Sequence, residues 1–175
     1  MFSETSHVGL RLLNRFHIEE PLPAGALCRV YRGQDTVLRR SIAVKAIAPE
    51  RVEIYRDALR ATAALSHPAI VATYDAIDHD GWLIIIQEYV TARPLTTYLR
   101  DGVPSERAVD LGGQIARALA YAHAHDIIHG DLTPAAVLVD RQATVRLNNF
   151  HLPADEEYIA QRAAEWDTTS DTLFP

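Results

Sequence analysis

Cys28 is the only cysteine among 175 residues. That excludes an internal disulfide and any cysteine-rich zinc site. The most apolar run, Trp82 to Ile86, falls far short of the roughly 20 residues that cross a bilayer. Met1 to Arg15 holds no apolar stretch of signal-peptide length. No basic run is present and the net charge is -6, which speaks against nucleic acid and anionic membrane as partners. Internal repeats and low-complexity tracts are also missing. What remains is ordinary: 48% apolar and 23% charged residues, enough for one soluble domain with a core. The cytoplasm is the default location for such a chain.

The first half reads as strands around one helix. Val30-Tyr31-Arg32 and Ile42-Ala43-Val44 are short β-branched runs separated by a polar stretch. Glu53 to Leu65 is rich in Ala, Leu and Arg without Gly or Pro, and predicts a helix that stops before Ser66-His67-Pro68. Val71 to Ile77 and Trp82 to Gln87 are further strands, with Asp78-His79-Asp80-Gly81 as the turn between them. In the second half, Ala108, Leu111, Ile115, Ala118, Leu119 and Ala122 recur at helical spacing behind a start at Pro104-Ser105-Glu106. Gly112-Gly113 within that helix costs about 1 kcal/mol each relative to Ala, and close packing is the expected reason for them. Short apolar runs follow at Ile127-Ile128, Val137 to Val139 and Val145 to Leu147.

Several landmarks fall in one order. Ile42-Ala43-Val44-Lys45, His67-Pro68-Ala69-Ile70-Val71, Gln87-Glu88-Tyr89-Val90, His129-Gly130-Asp131-Leu132 and Asn149-Phe150-His151 succeed one another at fitting intervals. Together they resemble the nucleotide-lysine strand, the segment after the C helix, the hinge, the catalytic loop and the Asp-Phe-Gly region of protein kinases. The resemblance covers residues 15–152 and is to bacterial Ser/Thr kinases of the eukaryotic-like type. It implies an α+β protein kinase-like fold: an antiparallel N-lobe sheet with its C helix, plus a partial helical C-lobe. The expected divisions are an N-terminal extension (1–14), the N-lobe (15–88), the hinge and partial C-lobe (89–152), and a C-terminal helix and tail (153–175).

Phosphoryl transfer rests on positioning and charge stabilisation, so the charged groups decide what the resemblance implies. In place of a Gly-x-Gly-x-x-Gly loop the chain has Pro23 to Val30, with Gly25 alone retained and Cys28 at a glycine position. Lys45 is kept, but the C-helix glutamate position falls on Ala58. Asp57 points about 100° away around the helix, and Glu53 lies more than a turn earlier. Lys45 is therefore expected either to bond an amide such as Asn149 or reach solvent, or still to bind an anion. Asp131 stands at the base position as a vestigial catalytic residue; its bland alternative is a loop cap. Gly130 replaces the arginine, Thr133 the lysine, Ala136 the metal-binding asparagine and Asn149 the metal-binding aspartate. Losing one charge-stabilising group costs on the order of 10²–10³ in rate.

The adenine slot is the better preserved part of the resemblance. Val30, Ala43 and Leu138 match positions that sandwich the ring, Glu88 and Val90 offer hinge backbone groups, and Gln87 makes the back of the slot more polar. His129 and Phe150 match the spine that joins the lobes. Beyond residue 152, Pro153 to Glu157 reads as a helix start, and Tyr158, Ile159, Arg162, Ala163 and Trp166 continue it. A helix is predicted from Ala154 to Trp166, packing on the domain or a partner. Thr168, Thr169, Ser170 and Thr172 read as linker. The chain stops where a kinase would continue, so a C-terminally truncated domain is expected, and the apolar face of the Leu111–Ala122 helix needs a cover.

The first functional reading is a pseudokinase: a binding, scaffold or regulatory module without phosphotransfer. Its partner is a protein or the remaining domains of a longer chain, without nucleic acid or membrane. No cofactor is required and no metal site is expected; any ATP or ADP bound would enter independently of magnesium. The alternatives are a nucleotide-binding switch and an active, unconventional Ser/Thr protein kinase.

Overall fold

The computed structural model describes residues 7–23 and 28–150. Its first sheet runs through β1 (Arg11–Leu12), β2 (Phe16–Leu22), β3 (Arg29–Asp35), β4 (Arg40–Ile47), β5 (Thr73–His79) and β6 (Trp82–Glu88). The spatial order is β1-β2-β3-β4-β6-β5, and every neighbouring pair is antiparallel. One helix, α1 (Val52–Thr62), lies between β4 and β5 in sequence.

Strand alternation makes the sheet two-sided. Ile42, Val44 and Ala46 of β4 join Ile84 and Ile86 of β6 in a core with Phe16, Ile18 and Tyr31. Ile47, Leu83 and Ile85 point to the other face, where Val52, Tyr55 and Leu59 of α1 cover them. Both faces of β6 are thus buried, which is why Leu83-Ile84-Ile85-Ile86 is a continuous apolar run. Fully burying each such side chain is worth roughly 1.5–3 kcal/mol.

The predicted elements are present with shifted ends. The helix expected over 53–65 closes at Thr62, with an Ala63 N–H to Leu59 bond as its last turn. The predicted four-residue turn tightens to Asp80-Gly81, because β5 runs on to His79 and pairs it with Trp82. Asp80 and Gly81 both have positive φ, 49° and 81°, the pattern of a two-residue hairpin turn. The strands β1 and β2 were not foreseen as elements. Arg11 and Leu12 pair with His17 and Phe16, so part of the 1–14 stretch forms a sheet edge.

Buried Asp35 organises the turn after β3. Arg15 grips it with two bonds, Nε to Oδ1 at 3.0 Å and Nη2 to Oδ2 at 2.7 Å. The backbone N–H groups of Val37 and Leu38 also donate to its Oδ1, both at 3.1 Å. The Arg15 bond leads these groups in holding the carboxyl down to about 2, against the opposing effect of burial.

The second half is built on α2 (Leu95–Asp101), α3 (Ser105–His123) and a three-stranded sheet of β7 (Arg93–Pro94), β8 (Val137–Val139) and β9 (Val145–Leu147). Leu111, Ala118 and Ala122 of α3 pack with Val137, Val145, Leu147 and Phe150. Gln114 ties α3 to the β8–β9 hairpin, donating to Ala143 O and accepting from Val145 N–H, both at 2.9 Å. Val109 and Ile128 remain 77% and 78% exposed. Among the described residues, a Cβ on Gly112 would meet nothing within 4 Å. Within the described residues, close packing does not account for that glycine. The segment 69–71 docks on β9: Leu147 N–H bonds Ala69 O at 2.7 Å, and Val71 N–H bonds Leu147 O at 2.8 Å. This contact joins the two halves behind the cleft.

Candidate functional site

β4 carries Lys45 between Val44 and Ala46, facing the same side of the sheet as Ile47. Its register partners are Val30 on β3 and Ile85 on β6. Ala43, two residues back, pairs with Gln87. The sheet thereby lines up Val30, Ala43, Lys45 and Gln87 on one surface. Lys45 is only 3% exposed, and burial pushes its ammonium down to about 8, with the Cys28 sulfur opposing. Burying a cation demands acceptors. Two come from across the lobe boundary: Nζ donates to Asn148 Oδ1 at 3.0 Å and to Asn149 Oδ1 at 2.7 Å. The bond to Asn149 foreseen as one alternative for Lys45 is present, with a second asparagine added.

The local backbone explains that grip. Asn149 has φ +70°, a left-handed conformation that asparagine tolerates better than most residues. Asn148 Oδ1 also accepts the Asn149 N–H at 2.9 Å, so one amide oxygen fixes the turn and the lysine together. The Asn148 backbone is itself held, its N–H by Ala136 O at 2.9 Å and its carbonyl by His129 Nε2 at 2.9 Å. His129 is buried, packs at a tilt with its centroid 4.5 Å from that of the Phe150 ring, and is pushed towards the neutral form mainly by burial. Asn148 was missed from the sequence; the signal available was a second asparagine directly before the Asn149-Phe150 pair.

On α1, Ala58 sits half-buried at the glutamate position, while exposed Glu53 and Asp57 pair with Arg56 and Arg60. Cys28 packs beside Ile47, Tyr55 and Leu83, and burial, partly offset by Lys45, raises its thiol. Gly130 has φ +80°, so the residue standing for the arginine occupies backbone space where glycine is unstrained. Asp131 is half-buried on the following loop, and its charge acts on His129.

The remaining site residues divide between the sheets. Val30 and Ala43 lie half-buried on the first, and Leu138 half-buried on β8. At the hinge, Glu88 N–H bonds Ala72 O and Val90 O accepts the Ala92 N–H, both at 2.9 Å. The Glu88 carboxylate lies 3.5 Å from Arg146 Nη2, an ion pair between β6 and β9. Gly25 of the expected phosphate loop, His151, the predicted 154–166 helix and the Thr168–Thr172 residues lie outside the described residues.

The chain matches the protein kinase domain family over residues 16–165. It is 28% identical over 151 residues to the serine/threonine-protein kinase PrkC of Bacillus subtilis, covering 82% of this chain and 23% of that protein. It is 31% identical over 156 residues to PknA of Mycobacterium tuberculosis, covering 82% of this chain and 36% of PknA. The PknI kinase domain of M. tuberculosis superposes with a TM-score of 0.75 at 23% identity, over 90% of this chain and 68% of that one. The chain thus spans well under half the length of these curated relatives, and the superposition bears out the kinase-like fold.

One expectation is corrected here. The cofactor reading, none required and nucleotide bound without magnesium, is overturned by these relatives. They are Ser/Thr protein kinases, a class that normally takes ATP with magnesium. Magnesium-ATP is therefore the pair against which the residues are tested. Magnesium asks for hard oxygen ligands in near-octahedral array. Ala136 offers a buried methyl group, and the Asn149 amide oxygen is held by Lys45. This donor set does not fit magnesium, and no catalytic step is derived through it.

Proposed function

The chain belongs to the protein kinase family, and we propose that its domain serves as a binding or regulatory module whose cleft does not transfer phosphate. The observation that carries the reading is the capture of Lys45 by the amides of Asn148 and Asn149. A lysine that handles nucleotide phosphates has to present its charge to them. Here Lys45 Nζ donates to two amide oxygens of the second half, a contact that fastens one lobe to the other across the place where phosphates would lie. The partner is a protein, or further domains of a longer chain, and the setting is the cytoplasm.

A second reading is favoured by the retained Lys45 and Asp131 and by the relatives: phosphotransfer with magnesium-ATP by the whole protein. Adenine would then lie between Val30 and Ala43 on one side and Leu138 on the other, against the hinge backbone at Glu88 and Val90. Radiolabelled phosphate transfer with magnesium-ATP separates the two readings. We expect incorporation no higher than that of Asp131→Asn. Incorporation that Asp131→Asn abolishes would overturn the first reading and establish the second. A thermal-shift series with magnesium-ATP reads slot occupancy independently, since ligand at 100 times its dissociation constant stabilises by about 2.7 kcal/mol.

A further inference from the structure

A small cavity of about 10 Å³ is lined by Thr62, Thr73, Gln87 and Asn149 and by five apolar residues, Leu65 and Phe150 among them. Gln87 is 2% exposed. Its Nε2 donates to Thr73 Oγ1 at 3.0 Å. Its Oε1 is fully buried and has no hydrogen-bond partner among the described residues. A buried amide oxygen left this way costs about 1–3 kcal/mol, so a donor at this point has a clear energetic role.

We propose that this cavity is a binding site for one structural water, held by Gln87 Oε1 and the side-chain amide of Asn149. Size selects the ligand: about 10 Å³ is roughly the least that accommodates a water and is too small for a larger group. Chemistry selects it as well. Gln87 Oε1 only accepts, so the ligand must donate. The Asn149 oxygen is committed to Lys45, which leaves its NH₂ group to donate, so the ligand must also accept. Water does both. A buried water is held by about three hydrogen bonds, and Thr62, also in the lining, carries a hydroxyl that can supply the third. Thr62 Oγ1 already donates within α1 to Ala58 O at 3.0 Å, which leaves its lone pairs to accept from the water.

The consequence is a continuous polar chain across the cleft: Thr73, Gln87, the water, Asn149, Lys45 and Asn148. It links β5 and β6 of the first sheet to the Asn148-Asn149 turn of the second half. The inference is independent of whether the domain transfers phosphate.

A crystal structure of the full chain, at a resolution that reveals ordered water, tests it. Density is expected about 2.7–3.2 Å from both Gln87 Oε1 and the Asn149 amide nitrogen. A dry cavity, or a Gln87 oxygen paired to a protein donor, would overturn the proposal. Water-to-protein NOE spectroscopy gives a second arm. A cross-peak between water and the Asn149 side-chain NH₂ is expected in the parent chain and should be lost in Gln87→Met. An unchanged cross-peak in a folded Gln87→Met would also overturn it, since Gln87 would not then be holding the water.

Discussion

His129 Nε2 sits 2.9 Å from the main-chain oxygen of Asn148, so the residue that grips Lys45 is itself gripped from below. The buried His129 ring leans on Phe150, and the Asn148 N–H is taken by Ala136. With its backbone fixed at both ends, the Asn148 side chain has little freedom to follow a displaced lysine.

The first prediction concerns that grip. Asn148→Ala removes one acceptor from a buried ammonium and one from the Asn149 N–H. Hydrogen bonds to charged groups are worth about 1.5–3 kcal/mol. Denaturant unfolding should show a loss in this range with an unchanged m-value. A loss no larger than that of an exposed surface substitution would mean that Lys45 finds water instead.

Asn149→Asp returns a carboxylate to within reach of Lys45 Nζ. An opposite charge favours the ammonium, so the Lys45 titration midpoint should rise from about 8 by roughly one to three units. The ¹³Cε chemical shift of Lys45 followed by NMR against pH reads this directly. A midpoint that stays in place would contradict the described contact.

Lys45 also gives the stability curve a definite sign. Its folded value of about 8 lies below its ordinary 10.5. Between those two values the unfolded chain binds more protons, so stability rises with pH across that window. Below about 8 both states are protonated and the contribution is flat. Lys45→Met should remove the rise between pH 8 and 10.5, measured as the difference between the two unfolding free energies.

Asp35 acts at the opposite end. Its folded value of about 2 lies below the ordinary 3.8, chiefly through Arg15. The stability it brings is complete above about pH 4 and is lost as pH falls from 3.8 towards 2. Asp35→Asn should flatten that part of the acid unfolding curve and lower stability at neutral pH.

Two glycines should respond in opposite directions to alanine. A Cβ on Gly33 would stand 2.5 Å from the His17 carbonyl oxygen, so Gly33→Ala must move β2 or β3 and should cost about 1–3 kcal/mol. Gly112 on α3 has open space around it, and Gly112→Ala should gain up to about 1 kcal/mol of helix propensity. Thermal unfolding of both variants checks the contrast.

The sequence made some of these features plain and hid others. The β-branched runs around Ile42 and Ile84 announced the sheet, because a strand buried on both faces has to be apolar throughout. Pro68 marked the end of the helix region, although α1 stops several residues earlier. β2 stayed hidden because Glu19, Glu20 and Pro21 interrupt its alternation, and a proline demotes a strand in any sequence reading. The Lys45–Asn149 bond was within reach of motif position alone. The Asn148 bond was not, since its direction depends on the left-handed φ of Asn149 and on backbone bonds to Ala136 and His129. No spacing rule carries that information.

The order of the first sheet also bears on how the molecule meets its own kind. An open sheet invites a second chain to add a strand at either border. Among the described residues one border is β1, a strand of two residues, too brief to template a ladder. The other is β5, which carries Asp75 and breaks register between Thr73 and Asp75. An incoming strand would meet negative charge and a kinked hydrogen-bond row, so both borders discourage edge-to-edge stacking and the fibrils that grow from it.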